Sequence, residues 1–131
     1  NRRKRRALTE PELQRLLTVA RDQPLNDASR SRGGRPRKDG TPARAARPAQ
    51  LTPATVAAKQ VEGRGRRLLY QLAVYTGMRR GELSRLKVRH LYLSGATPKL
   101  ALPGALTKNG KDATIPLPAF LAAELAAWVQ A

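Results

Sequence analysis

The sequence predicts an α+β fold that is mainly α-helical and carries a small three-stranded antiparallel sheet. Apolar residues recur at helical spacing in separate segments of the first 86 positions. Between positions 91 and 115 they occur instead in three short runs, separated by Gly, Pro and Asn. A proline then opens a last apolar segment, as prolines often do in the first turn of a helix. A chain of 131 residues has room for one domain.

The first helix is predicted from about Pro11 to Asp22. Thr9 and Glu12 have the spacing of a capping box, in which a hydroxyl and a carboxylate accept hydrogen bonds from the first free backbone N–H groups. The apolar residues that follow at helical spacing are Leu13, Leu16, Leu17 and Ala20.

Three further helical segments are predicted before the sheet. A short one runs from Leu51 through Val61 and is interrupted by Gly63 and Gly65. The most apolar window of the chain, 68–75, predicts a buried helix that ends at Gly77. A helix from about Arg79 to Leu86 follows at once.

The predicted strands are 91–93, 100–102 and 113–115, and Pro118 opens the last helix. Asn109 and Gly110 form a strong hairpin signal between the second and third strands. No sequence repeat is present.

The charge favours a polyanionic partner. Lys and Arg number 26 against 9 Asp and Glu, so the formal net charge is +17. Such a balance is typical of proteins that bind nucleic acid or an anionic membrane surface. With 4% aromatic residues, base stacking is disfavoured, and we expect contacts with phosphates. No stretch approaches the roughly 20 apolar residues that span a bilayer, so a soluble, intracellular protein is expected.

Several kinds of chemistry are disfavoured by composition. The chain has no cysteine and a single histidine, His90, which argues against disulfides, thiolate zinc sites and a Ser-His-Asp triad. We therefore expect neither a metal nor a cofactor.

Two basic segments flank the first helix. Residues 1–6, NRRKRR, are predicted to be extended and solvated. Residues 28–50 hold seven Lys and Arg against Asp39 alone, with no large apolar residue, and predict a disordered basic insertion.

Two polar clusters could carry chemistry. Arg79 opens a helix after a glycine turn, where its guanidinium and the first-turn amides favour an anion. The alternative is a surface ion pair between Arg79 and Glu82. In the second cluster, Lys108 and Lys111 lie beside the Asn-Gly turn, where a mobile lysine can supply a charge or a proton. The alternative there is a solubilising turn.

Together these elements resemble a known family. The run TGMRRGELSRL, a short three-strand segment with TKNGK, then IPLP and a Leu-rich helix are similar to the first half of the catalytic domain of tyrosine recombinases, the phage integrase family. The opening LTEPELQRLL fits the start of that domain, and the resemblance runs from about Leu8 to Trp128. It implies an incomplete integrase-like (DNA breaking-rejoining) catalytic domain over 7–131, preceded by a basic linker end at 1–6.

The resemblance implies cleavage and rejoining of DNA through a 3′-phosphotyrosyl intermediate, without metal or nucleotide. Arg79 would be the first catalytic arginine, Glu82 a supporting acidic residue, and Lys108 the hairpin lysine that protonates the leaving 5′-oxygen. Lys111 is the alternative lysine. The implied partners are double-stranded DNA and further copies assembled on it, in a bacterial or phage-derived cytoplasmic setting, during integration or excision of a mobile element. DNA contacts are expected at Arg2, Arg3, Lys4, Arg5, Arg6, Arg80 and Lys111.

The chain also departs from the family pattern. The later Arg box and the nucleophilic tyrosine have no counterpart, and Tyr70, Tyr75 and Tyr92 are predicted to be core or strand residues. His90 stands where the family often has an acidic residue. We therefore expect a fragment that does not cut DNA alone. The alternatives are a non-catalytic basic DNA- or RNA-binding module, including a decayed or truncated recombinase, and a type IB topoisomerase.

Overall fold

A computed structural model describes residues 7–30, 38 and 49–131. The element order is α1 (Glu10–Ser29), α2 (Pro53–Thr76), α3 (Arg80–Leu83), β1 (Leu91–Tyr92), β2 (Lys99–Leu102), β3 (Ala113–Pro116) and α4 (Ala119–Gln130). Short 3-10 turns precede β1 at Val88–His90 and follow β2 at Gly104–Leu106. The predicted class, mainly helical with a small three-stranded antiparallel sheet, is confirmed.

The chain divides into two compact units, Asn1–Arg64 and Gly65–Ala131. In the first unit, α1 begins as predicted, because the Glu12 carboxylate accepts the Thr9 N–H at 2.9 Å. Its predicted end at Asp22 is wrong, since the helix continues through Pro24 to Ser29. A proline inside a helix removes one backbone hydrogen bond. Pro24 is buried, so packing of its ring compensates for that loss.

The predicted break near Gly63 and Gly65 is also wrong, because α2 runs unbroken across both glycines. A Cβ atom on Gly63 would lie 1.9 Å from the backbone oxygen of Arg21 in the first unit. In the second unit, a Cβ on Gly65 would lie 3.0 Å from the Trp128 ring. These glycines therefore permit close tertiary contacts and do not end the helix.

The second unit contains the sheet and the larger apolar core. Its strands are in the order β1-β2-β3, all antiparallel, with Leu100 of β2 opposite both Leu91 and Ile115. Leu100 and Leu121 are fully buried. The core cluster around them joins the second half of α2, β2 and α4 and comprises Leu68, Leu72, Met78, Leu100, Leu102, Leu117, Leu121, Ala122 and Leu125.

Two further predictions need correction. The helix expected over Arg79–Leu86 is only Arg80–Leu83, and the chain continues in tighter turns, with Leu86 N–H bonded to Leu83 O. Ala28 and Ser29, expected at the start of the basic insertion, belong to α1. The rest of that insertion, apart from 30, 38, 49 and 50, and the basic run 1–6 lie outside the described residues.

Candidate functional site

A glycine turn places Arg79 at the end of α2. Gly77 has φ +65°, a left-handed conformation that ends the helix, and its N–H donates to the Ala73 carbonyl at 3.1 Å. Met78 is buried in the core of the second unit, whereas the Arg79 side chain is 62% exposed. The anchored methionine therefore fixes the backbone beside an arginine whose guanidinium faces solvent.

One carboxylate connects this turn to the loop between β2 and β3. Glu82 Oε2 accepts the Arg79 N–H at 2.9 Å, and Oε1 accepts the Lys108 N–H at 3.4 Å. Arg79 Nη1 also lies 3.7 Å from Glu82 Oε1, a loose ion pair. The structure thus brings Lys108, which follows Glu82 by 26 positions in the sequence, together with Arg79 and Glu82.

The same contacts keep Glu82 ionised. The Arg79 N–H lowers the pKa of Glu82 most, and burial, the next largest effect, raises it. The Lys108 N–H and the charges of Arg79 and Arg85 lower the pKa further, so that it lies below its ordinary value. Glu82 therefore serves as an acceptor at neutral pH, because it holds no proton to donate. The anion expected at the first-turn amides here is supplied by the protein itself, since Glu82 occupies the Arg79 N–H.

An open cavity of about 210 Å³ lies between these residues. Its lining includes three apolar side chains of β2 and β3, three cations and two carboxylates. These residues are Leu102, Ala113, Ile115, Arg79, Lys108, Lys111, Glu82 and Asp112. Both carboxylates accept backbone N–H groups, Asp112 from Gly104 at 2.6 Å. The three cationic side chains are all exposed, so an anionic ligand can reach them.

The loop that carries both lysines has the predicted length. β2 and β3 are paired neighbours as predicted, and residues 103–112 connect them and include a 3-10 turn. The Thr107 hydroxyl donates to the Lys111 carbonyl at 2.8 Å. A Cβ on Gly104 would lie 2.4 Å from the Gly110 oxygen, so the two ends of the loop touch through backbone atoms. No sequence pattern indicated these contacts of Thr107, Gly104 and Asp112.

The two candidate lysines differ in their contacts. Both line the cavity with Arg79, but only the backbone of Lys108 is bonded to Glu82. Only Lys108 is therefore joined through its backbone to the carboxylate that also accepts the Arg79 N–H. Arg80, expected to contact DNA, is exposed on α3 and is not part of the cavity lining. The other expected DNA contacts, Arg2, Arg3, Lys4, Arg5 and Arg6, lie outside the described residues.

The prediction that the tyrosines of α2 are core residues is wrong. Tyr70 and Tyr75 are 43% and 39% exposed, and Tyr75 packs edge-on against Phe120 with ring centroids 5.2 Å apart. Tyr92 lies in β1, as predicted for a strand residue, and is also exposed. None of the three lines the cavity that contains Arg79. The sequence pattern placed apolar and aromatic residues on a helix without indicating which face the core covers.

Within 7–30, 38 and 49–131, no three His, Asp or Glu side chains gather closely enough to hold a metal ion. Over the same residues, every helix is too short or too polar to cross a bilayer.

Comparison with known proteins identifies no relative: no family model, curated protein or solved structure matches the chain. The assignment of function therefore depends on the residues and the geometry described above.

Proposed function

We propose that this chain is part of the catalytic domain of a site-specific DNA recombinase of the tyrosine class. The observation that carries the proposal is the Glu82 carboxylate, which accepts the backbone N–H groups of both Arg79 and Lys108 beside one solvent-open cavity. Solvent-exposed arginine and lysine side chains are suited to binding a phosphodiester.

The chemistry assigned to this cavity is phosphoryl transfer. The planar guanidinium of Arg79 binds the non-bridging oxygens and stabilises the charge that grows on them as the pentacovalent phosphorus forms. A tyrosine oxygen, whose proton passes to water, forms a bond to phosphorus while the bond from phosphorus to the 5′-oxygen breaks. The Lys108 ammonium gives its proton to that leaving oxygen. Glu82 stays ionised and positions the backbones of Arg79 and Lys108.

The nucleophile is assigned to a tyrosine outside this chain. Tyr70, Tyr75 and Tyr92 are absent from the lining of the cavity that holds Arg79, so none of them is given the role. The further copies of the protein that the family assembles on DNA are part of the same proposal.

A second candidate function is non-catalytic binding of duplex DNA. It is favoured by the net charge of +17 together with a cavity that no tyrosine of the described residues lines. Contacts of this kind with backbone phosphates bind DNA without sequence preference.

Covalent capture separates the two candidates. The complete recombinase that the proposal implies is incubated with a random-sequence duplex library, denatured, and examined for protein joined to DNA 3′ ends. The recombinase proposal expects captured DNA that disappears in Arg79→Ala while duplex binding by the folded variant persists. Tight binding without any covalent product favours the binding module.

A further inference from the structure

The Asp112 carboxylate closes the loop that carries Lys108. Asp112 directly precedes β3, and its Oδ1 accepts the Gly104 N–H at 2.6 Å, near the other end of the loop. Gly104 is buried, and a buried N–H that loses its acceptor is costly. The carboxylate therefore holds the start of the loop against its end.

Gly104 in turn orders Thr107. The Thr107 N–H donates to the Gly104 carbonyl at 3.1 Å. The Thr107 hydroxyl lies 3.1 Å from the same carbonyl oxygen and 2.8 Å from that of Lys111. The hydroxyl has one proton, and the shorter contact is the one with Lys111. Thr107 is thus tied to the start of the loop by its backbone and to the end of the loop by its side chain.

Lys108 follows Thr107 directly and lines the candidate cavity. Its N–H reaches Glu82 at 3.4 Å, which is longer than the usual limit of about 3.2 Å for such a hydrogen bond. A bond of that length is weak, so the position of Lys108 depends also on the loop around it. The shorter bonds at Gly104 and Thr107 supply that support, and they begin at Asp112.

We propose that Asp112 is a positioning residue for Lys108. Acting through Gly104 and Thr107, it keeps the loop closed and the lysine ammonium at the candidate cavity. The role rests on the function proposed above, which assigns Lys108 as the proton donor. Asp112 itself touches neither DNA nor the reacting atoms. Its acceptor oxygen produces the effect, and its negative charge is not required.

Amide hydrogen exchange of this chain, followed by NMR, tests the ordering of the loop. Asp112→Ala removes the acceptor and is expected to speed exchange at Gly104, Thr107 and Lys108 by about tenfold, the effect of one lost hydrogen bond to a charged group. Asp112→Asn keeps an acceptor oxygen without the charge and is expected to stay within about threefold of the wild type. The amides of α4 are expected to exchange at the wild-type rate in both variants.

A pair of threonine variants tests the next contact. Thr107→Val removes the hydroxyl and is expected to speed exchange at Lys108 by about fivefold, the effect of one ordinary hydrogen bond. Thr114→Val makes the same change at an exposed position of β3 and is expected to leave Lys108 unaffected. Wild-type exchange at Lys108 in Asp112→Ala would overturn the positioning role. Exchange in Asp112→Asn as fast as in Asp112→Ala would do the same, because the charge would then be the cause.

DNA cleavage by the complete recombinase that the proposed function implies separates positioning from a merely structural role. A duplex with sulfur in place of the bridging 5′-oxygen releases a thiolate, which needs no proton from Lys108. Asp112→Ala is expected to cleave the oxygen duplex at least about tenfold more slowly than the wild type, because the proton donor is misplaced. It is expected to cleave the sulfur duplex at the wild-type rate. An equal loss on both duplexes would indicate a general structural role and overturn the inference.

The positioning role and the proposed function fail in different ways. If the wild type cleaves DNA and Asp112→Ala cleaves the oxygen duplex equally well, the positioning role is refuted and the proposed function stands. If the wild type forms no covalent product with DNA, the proposed function is refuted together with the catalytic use of Lys108. The exchange rates still decide in that case whether Asp112 orders the lysine loop.

Discussion

The backbone N–H of Lys108 donates to the Glu82 carboxylate at 3.4 Å, across 26 positions of the sequence. The other oxygen of that carboxylate accepts the Arg79 N–H. Glu82 thereby fixes the backbones of two basic residues and leaves their cationic ends exposed beside one cavity. A surface ion pair alone would require neither the backbone contacts nor the third residue.

Replacement of Glu82 by glutamine should loosen the lysine loop. A glutamine oxygen can accept the Arg79 N–H, but its NH₂ group would then face the Lys108 N–H, donor against donor. We expect amide hydrogen exchange at Lys108 to become several-fold faster in Glu82→Gln, measured by NMR. Glu124→Gln makes the same chemical change at a 3.9 Å pair with Arg67 and should leave Lys108 unaffected. Unchanged exchange in Glu82→Gln would contradict the contact.

The contribution of Glu82 to stability should depend on pH. Its pKa in the folded protein is lowered, chiefly by the Arg79 N–H, so its ionised form is favoured by folding. The difference in free energy of unfolding between the wild type and Glu82→Gln should be fully present above the ordinary glutamate pKa of about 4.3. It should shrink as the pH falls through the lowered pKa. Urea unfolding of both proteins at a series of pH values tests this, and a difference that does not vary with pH would refute it.

The close approach of Gly104 to Gly110 should make Gly104→Ala destabilising. The new Cβ would lie 2.4 Å from the backbone oxygen of Gly110. A backbone atom cannot move aside as the end of a flexible side chain can, so the clash persists. We expect a loss of about 1–3 kcal/mol in the free energy of unfolding, as for overpacking in general. In the control Gly81→Ala, the nearest atom is Arg85 Nη2 at 3.9 Å, and the change should be neutral or slightly stabilising. Equal stability of the two variants in urea denaturation would contradict the loop geometry.

Residue periodicity and turn chemistry were enough to predict much of the fold. The Thr9 and Glu12 pair marks the start of α1, Gly77 marks the end of α2, and the three apolar runs became the paired strands. In each case the determining interaction is local, or it depends on the pattern of apolar and polar residues along one segment. Such signals are present in the sequence itself.

The incorrect predictions share a tertiary cause. Gly63 lies inside a helix because the backbone at Arg21 approaches it, and Pro24 is retained in α1 because it is buried. The exposure of Tyr70 depends on which face of α2 meets the core, and no local pattern states this. For the candidate site, the family resemblance supplied Arg79, Glu82 and Lys108, whereas their shared carboxylate is visible only in three dimensions.

The exposed guanidinium of Arg79 should contribute to DNA binding through a phosphate. Each phosphate neutralised by a basic side chain steepens the slope of log affinity against log salt concentration by nearly one unit. Arg79→Gln should therefore reduce that slope by about 1 and weaken binding to unrelated duplexes alike. Fluorescence anisotropy across a salt series measures the slope. An unchanged slope in a folded Arg79→Gln protein would exclude Arg79 from the phosphate contacts.

The different roles proposed for Lys108, as proton donor, and Arg79, as stabiliser of phosphate charge, give the most direct test of the central claim. A duplex sequence recovered by covalent capture is synthesised in two forms. One has the ordinary bridging 5′-oxygen at the cleaved phosphate, and the other has sulfur in its place. Cleavage by the complete recombinase that the proposal implies is measured on both. A thiolate leaves without a proton, so Lys108→Ala should be inactive on the oxygen duplex and restored on the sulfur duplex. Arg79→Ala should remain impaired on both, because charge on the non-bridging oxygens still develops. Full activity of Lys108→Ala on the oxygen duplex would contradict the account, as would its failure on the sulfur duplex when the wild type cleaves both.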